Sequence, residues 1–551
     1  MDPSRDSRGL WALAGLVAGA AGLATSYAAG LALTVRQSPV VAVAEWIVAL
    51  TPGPVVRLAI RVLGFLDKPL LIGGILLVLG IAFAAAGVLA RRRPWAAVGV
   101  YAVLALLGFV AVVSRPGFRS LDLVPLLVGV LTWLGVMTWL TRSLSADSAL
   151  VHPESAQVDR ESASINADST SRSADWGSRS ADSAGRGCGG SGGSAGSGRR
   201  TFLIRAGVVA LLAAGVGATG RLLGAGRRTV EASRRLLRLE GVSEPVVPDG
   251  VQLGLKGITP WQTPDERFYL IHTAIAVPTI DPAQWRLRVH GMVERELLLS
   301  YDDLLARRFS EAWITLNCVS NPVGGELVGN AWWSGVPIRE ILEEAGVKAG
   351  ADAILQTSED GWTCGTPLET VTDPQRQAML AVGMNGRALP IEHGFPVRMI
   401  VPGLYGFVSA TKWLVDIEVT RFRDFEAYWT PRGWSERGPV KTASRIDVPT
   451  ADSTVPAGPL RVGGVAWHQH SGITGVQVKL DGGPWHDAEL GSVLSVDTWV
   501  QWAATLDVPP GDHTLQVRAK DGAGVWQTPV ERDVAPDGAT GWHTIAFSAE
   551  E

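Results

Sequence analysis

Cysteine is scarce, three in 551 residues, and no Cys-x-x-Cys pair occurs. That excludes a disulfide-built scaffold and removes the ligands of zinc ribbons, iron–sulfur clusters and c-type haem. Cys188 lies in a Gly/Ser tract, which leaves Cys318 and Cys364 as the only cysteines in sequence of folded composition. Histidine is sparse too, nine in all, the first being His152. None falls in an apolar stretch, so paired axial ligands for a b-type haem are missing from those stretches and no haem is expected in this chain. A basic excess is also lacking: the net charge is −4, and no nucleic-acid partner is expected. The glycine run Gly187–Gly198 has no preceding strand and no Gly-Lys-Ser/Thr ending, so it reads as linker and not as a phosphate loop.

What is abundant is apolar sequence near the N-terminus. Mean hydropathy is +0.19, and the excess lies before about residue 140. Leu10–Val35, Leu70–Ala90, Pro94–Ser114 and Leu121–Leu140 each have the roughly 20-residue length that a bilayer requires. Val40–Phe65 is apolar but broken by Glu45, Arg57, Arg61, Pro52 and Pro54, and reads as an interfacial or broken helix. Arg91, Arg92 and Arg93 favour a cytoplasmic position, which puts the N-terminus inside; Arg115 and Arg119 then fall outside, against the same tendency. Residues 143–198, rich in Ser, Ala, Asp and Gly, have no apolar period and read as a disordered linker. Arg199-Arg200-Thr201-Phe202-Leu203-Ile204 precedes an apolar run to Gly220. Residues 199–225 look like an uncleaved twin-arginine signal anchor, a fifth span; a plain span flanked by stop-transfer arginines is the alternative. Either reading puts the chain beyond Leu223 outside the cytoplasm.

From about Pro245 short apolar runs alternate with Gly/Pro turns, and Pro337–Ala345 has helical spacing. After Lys441 the pattern is strand: Leu460–Trp467, Ile473–Leu480, Trp499–Leu506 and His513–Lys520, with turns such as Asp481-Gly482-Gly483 between them. That spacing predicts a β-sandwich. His468-Gln469-His470 would put two imidazoles on one strand face, either solvated or able to hold a metal.

Three segments carry candidate chemistry. Ile314-Thr315-Leu316-Asn317-Cys318-Val319-Ser320-Asn321 sets a cysteine in extended chain. Glu392-His393-Gly394-Phe395-Pro396-Val397-Arg398 leads into an apolar strand. Pro402-Gly403-Leu404-Tyr405-Gly406 runs to Ser409-Ala410-Thr411-Lys412-Trp413. A thiolate suits a soft or redox metal, and a His, Arg and Lys set suits a phosphate. As a set, over roughly Gly257–Arg423, these segments resemble the sulfite oxidase family of molybdopterin enzymes. The resemblance implies a metal ligand at Cys318, beside the two dithiolene sulfurs of one molybdopterin. It implies cofactor contacts at His393, Arg398, Thr411 and Lys412, and at Tyr269, His272 and Asp360.

The implied architecture is multi-domain: membrane helices over 1–142, an α+β molybdopterin domain over 245–435, and an immunoglobulin-like β-sandwich over 440–551 that serves dimerisation. The implied activity is oxygen-atom transfer on a small oxo substrate at an exported domain held on a multi-pass membrane anchor. A homodimer and a separate electron carrier are implied as well. Where the family has arginines after its cysteine, this chain has Ser320-Asn321-Pro322-Val323-Gly324, and Leu270 replaces another arginine. Neutral S- or N-oxides suit such a pocket better than the sulfite dianion, as in the related periplasmic methionine-sulfoxide reductases. Two rivals are weaker. Ser409-Ala410-Thr411-Lys412 fits the Ser-x-x-Lys of penicillin-binding proteins, but Lys441-Thr442-Ala443 lacks that family's glycine and lies too close. A non-enzymatic surface-binding protein leaves the His393–Lys412 set unexplained.

Overall fold

The structure is a computed structural model that describes residues 3–33, 38–52, 55, 63, 66–114, 120–151, 197–223 and 225–551. Arg57, Arg61, Arg115, Arg119, Cys188 and most of the expected linker lie outside the described residues. The chain divides into two compact units.

The first unit is helical: α1 (Pro3–Ala32), α2 (Pro39–Leu50), α3 (Asp67–Ala90), α4 (Pro94–Val113), α5 (Val124–Val151) and α6 (Ser197–Leu223). Arg8–Ala32, Lys68–Ala90, Trp95–Val113 and Ser120–Arg142 are long and apolar enough to cross a membrane. Leucines such as Leu77, Leu106 and Leu131 point outward from them. α1 and α3 meet backbone to backbone, because a Cβ on Gly15 or Gly87 would fall 2.0 Å from the carbonyl oxygen of Phe83 or Trp11. Such glycine contacts let apolar helices associate by close packing. Trp133 seals the contact from α5, its indole N–H donating to Gly19 O at 3.1 Å. The expected start of the linker at 143 is corrected: α5 continues to Val151, because Leu144 is buried in the helical core and Ala and Leu recur there.

The second unit holds most of α7 (Ala225–Leu236) and four sheets. One sheet has the order β2-β1-β10-β5-β6, built from β1 (Arg286–Gly291), β2 (Leu297–Ser300), β5 (Ala353–Ser358), β6 (Thr363–Pro367) and β10 (Leu414–Thr420). A second has the order β3-β4-β7-β8, from β3 (Ser310–Asn317), β4 (Val328–Pro337), β7 (Met379–Met384) and β8 (Arg387–Ala388), with β9 (Arg398–Ile400) also on β7. Every residue of β7 is buried, which is why its sequence is a continuous apolar run and not an alternation. α8 (Ile338–Ala345) buries Ile338, Ile341, Leu342 and Ala345 at helical spacing and stops at Gly346, whose φ of 71° suits a left-handed cap.

The C-terminal part forms two facing sheets, β11-β13-β17-β16 and β12-β19-β18-β14-β15, whose short members are β11 (Ala443–Val448), β12 (Thr454–Pro456), β15 (His486–Asp487) and β16 (Glu489–Leu490). The long members are β13 (Gly458–Trp467), β14 (Ile473–Leu480), β17 (Val500–Val508), β18 (Gly511–Asp521) and β19 (His543–Glu550). Their inner faces share a core that includes Val462, Val476, Trp502, Val517 and Phe547. β18 buries every second residue from His513 on, as a strand with one solvated face must. The stretch His468–His470 is not strand: β13 ends at Trp467, and His470 sits at φ 68° in a turn. His468 Nδ1 faces Thr442 Oγ1 at 2.9 Å, while His470 lies between Asp373 and Asp497. Among the described residues no group of three His, Cys, Asp or Glu could hold a metal ion.

This C-terminal part covers the open edge of β3. Thr315 N donates to Asp497 O at 2.9 Å, Thr315 O accepts from Gln469 Nε2 at 2.9 Å, and Thr315 Oγ1 accepts from Trp499 N at 2.8 Å. Thr315 Oγ1 in turn donates to Asn330 Oδ1 on β4 at 3.0 Å. An edge strand is thereby locked three residues before Cys318. Thr315→Val keeps the shape and leaves two buried partners unpaired. It should lower unfolding free energy by about 2–4 kcal/mol, measured by denaturant melting; a loss under about 0.5 kcal/mol would show that the clamp contributes nothing.

Candidate active site

Cys318 comes directly after β3. Its N–H donates to Leu327 O at 2.9 Å and its carbonyl accepts from Asn321 N at 3.1 Å. Asn321 Oδ1 accepts from Leu327 N at 2.8 Å, closing a tight loop around the sulfur. The thiol is buried. Burial pushes its pKa up, while hydrogen bonding from Ser320 and the nearby Lys412 ammonium pull it down.

The loop from Pro390 to Arg398 brings in the cationic side chains. Gly394 has φ 112°, and a Cβ there would fall 3.1 Å from Arg398 and Lys412, so glycine lets the loop press on both. His393 Nε2–H donates to Asp265 O at 3.1 Å. Since a carbonyl only accepts, the proton is on Nε2 and Nδ1 carries a bare lone pair. That Nδ1 is buried without a hydrogen-bond partner. Burial, then the charges of Lys412 and Arg398, push the imidazole pKa down to about 3.

Arg398 is 3 % exposed. It donates to His393 O at 3.0 Å and to Ala410 O at 3.5 Å, and stacks over Trp333 at 5.0 Å. Its Nε is buried and unpartnered, and burial lowers its pKa to about 10. It makes no ion pair with a carboxylate among the described residues. Lys412 Nζ donates to Glu392 O at 3.0 Å.

Tyr269 stands within electrostatic reach of both Cys318 and Arg398, and burial followed by the Cys318 charge raises its phenol pKa. The geometry therefore gathers Tyr269, Cys318, His393, Arg398 and Lys412. His272 and Asp360 flank Trp413: the His272 ring meets its indole edge-on at 5.7 Å, and the turn bearing Asp360 is tied to it by Glu359 N–H donating to Trp413 O at 2.8 Å. Thr411 is apart. Its hydroxyl turns inward to Cys364 Sγ at 3.5 Å, and its carbonyl accepts from Met399 N at 2.9 Å. Cys364 is fully buried, its thiol pushed up to about 12.

The sequence reading missed Asp265, Trp333 and Tyr405. Asp265 acts on His393 through its carbonyl, which no side-chain motif reveals. Tyr405 lies in the quoted Pro402–Gly406 segment and is within electrostatic reach of Cys318.

A bound molybdopterin would fit this set. Two buried polar atoms, His393 Nδ1 and Arg398 Nε, need partners, and a guanidinium buried against carbonyls alone favours an anion such as a phosphate. An anion beside His393 would also raise its pKa and turn Nδ1 into a donor.

In the cofactor-free chain His393 sets a pH dependence. It is neutral when folded, and the unfolded chain takes up a proton below about pH 6.5. The folded state is fully stable above that value and loses stability as pH falls toward 3. His393→Gln cannot titrate, so between pH 7 and pH 5 it should lose about 2 kcal/mol less than the parent in denaturant melts. Equal losses would place the neutral imidazole elsewhere.

Residues 274–429 match the oxidoreductase molybdopterin-binding domain family. An uncharacterised oxidoreductase of Bacillus subtilis, YuiH, is 34% identical over 181 residues, 33% of this chain and 87% of its own length. The mitochondrial sulfite oxidase of Homo sapiens is 29% identical over 305 residues, 47% of this chain. The chain spans about half of that relative, 55%. The solved sulfane dehydrogenase SoxCD of Paracoccus pantotrophus is 24% identical, with a TM-score of 0.46 over 53% of this chain and 85% of its own. The chain belongs to the sulfite oxidase-like family of molybdopterin-dependent oxidoreductases.

Proposed function

We propose that this molybdenum-cofactor oxidoreductase moves an oxygen atom to or from a small neutral sulfur or nitrogen oxo compound. The observation that carries the reading is the buried Cys318 thiol within reach of Lys412, beside a His393–Arg398 pair with unmet hydrogen-bonding capacity. Cys318 would ligate the metal, its thiolate favoured by Lys412 and Ser320. His393, Arg398 and Lys412 would hold the anionic end of the cofactor, with Tyr269, His272 and Asp360 around it; for Thr411 only backbone contact is open. The bound group supplies the oxygen-atom-transfer chemistry. The chain's own residues orient it, exclude water and shape the pocket.

A neutral substrate is supported by the residues just after the thiol. The loop Val319–Gly324 carries no cationic side chain, so that loop offers a dianion no countercharge to offset its desolvation. In this reading the helices of the first unit anchor the domain in the cell membrane, with Arg199-Arg200 as export signal and catalysis outside the cytoplasm. The C-terminal sandwich, of immunoglobulin-like type, would serve a homodimer. The chain holds no haem, and a separate carrier handles electrons.

The serine acyl-enzyme reading has no support. Ser409 is fully buried, its hydroxyl directed to Leu404 O at 3.1 Å and Tyr405 O at 2.9 Å, and Lys441 is held by Asp537 at 2.8 Å. Metal analysis of the purified full chain should find about one molybdenum per chain. Cys318→Ser should cut turnover on a sulfoxide by on the order of a thousandfold while leaving far-UV circular dichroism unchanged; full activity in that variant would refute the mechanism.

A further inference from the structure

Three tryptophans and three cations share the outer face of the sheet β12-β19-β18-β14-β15. Residues two apart on a strand point to the same side, so Arg518 and Lys520 of β18 stand together, with Lys479 on the paired strand β14. Trp485 comes from the turn between β14 and β15. Trp526 lies in the turn after β18, where it bridges Lys520, and Trp542 immediately precedes β19. All three indoles are partly exposed.

The charges lie over the rings. Arg518 is 4.2 Å from the Trp485 centroid and 4.5 Å from that of Trp526. Lys479 is 4.7 Å from Trp485 and 5.3 Å from Trp542, and Lys520 is 5.5 Å from Trp526. Trp485 and Trp542 meet edge to face at 5.0 Å. Cation–π contact fixes these heads in place and leaves their charge intact. Arg518 Nε and Nη2 donate to Gln477 Oε1 at 3.1 and 2.6 Å, and Gln477 Nε2 donates on to Asp487 Oδ1 at 2.9 Å. None of the three cations pairs with a carboxylate among the described residues. In a chain of net charge −4, three like charges held on one sheet face repel one another and lack an anion.

Trp and Arg are the residues on which protein interfaces concentrate binding energy, and a fixed positive patch steers an acidic partner toward it. The face also leads inward. Trp542 is one peptide bond from His543, whose ring lies against the thiol loop: a Cβ on Gly324 would fall 2.2 Å from His543 Cδ2 and Nε2. We infer that this face docks an acidic one-electron carrier protein and sets it beside the chain segment that reaches the Cys318 loop. The inference rests on the oxygen-atom-transfer reading with a separate carrier, and names that carrier's charge and docking surface. For each oxygen atom taken from a sulfoxide, two reduced carriers supply one electron each and solvent supplies two protons, giving the sulfide and one water. Oxygen insertion runs the same balance in reverse.

The probe is flavodoxin, an acidic flavin protein that passes single electrons, used with the molybdenum-loaded full chain. Its Kd should rise about tenfold as salt goes from about 20 to about 200 mM. The double variant Lys479→Glu/Lys520→Glu should raise the low-salt Kd about tenfold and lose most of that salt dependence. Lys479→Gln/Lys520→Gln, a milder change, should raise it about threefold and serves if the first variant fails to fold. Reduced benzyl viologen, a small dye that needs no docking, drives sulfoxide turnover independently of the face. The ratio of flavodoxin-driven to dye-driven kcat/KM should therefore fall about tenfold in the Glu variant. Flavodoxin binding that both variants weaken, with no turnover from either donor, would uphold the docking face and sink the oxygen-atom-transfer reading. Dye-driven turnover with flavodoxin binding absent, or unchanged in both variants, overturns the docking face. So does a parent chain that is dimeric where both variants are monomeric, which gives the face to a second copy.

Discussion

A guanidinium buried against backbone carbonyls is the constraint around which this fold is organised. Arg398 leaves water, reaches His393 O and Ala410 O, rests on Trp333 and still leaves Nε unpaired. Burial, followed by the charges of Lys412 and Arg398, holds His393 neutral. Such a cluster is costly in isolation and becomes favourable once an anion enters. The glycine at 394 permits the cluster, since a side chain there would part the loop from Lys412.

Cys318 is positioned from the other direction. It sits at the end of β3, and β3 is paired on one side by β4 and fastened on the other by Asp497, Gln469 and Trp499 from the C-terminal sheets. Trp261 and Trp499 exchange indole N–H bonds to each other's carbonyls at 3.2 and 2.8 Å, and Arg445 ties Gly325 O at 2.9 Å to the same region. The loop that carries the thiol is therefore held by residues more than a hundred positions away in sequence. Rigid support of this kind keeps the Cys318 sulfur in place more firmly than its own loop could.

Local features were legible in the sequence. The spacing of Ile338, Ile341, Leu342 and Ala345 matches the buried face of α8, and the strand-like runs of the tail coincide with β13, β14, β17 and β18. The apolar lengths near the N-terminus coincide with helices long enough to span a bilayer. What was not legible depends on distant partners. His468-Gln469-His470 reads as strand, yet Gln469 turns inward to Thr315 O and forces a turn. Thr411 reads as a site residue, yet Cys364 offers its hydroxyl a buried partner. Asp265 supports His393 through a carbonyl, and backbone atoms have no sequence signature.

The central claim is that the sulfur of Cys318 binds the metal. Molybdenum X-ray absorption on the purified full chain measures this directly by counting sulfur neighbours. The account predicts three in the parent protein, one of them lost in Cys318→Ser while molybdenum stays bound. The same sulfur count in both proteins would contradict it.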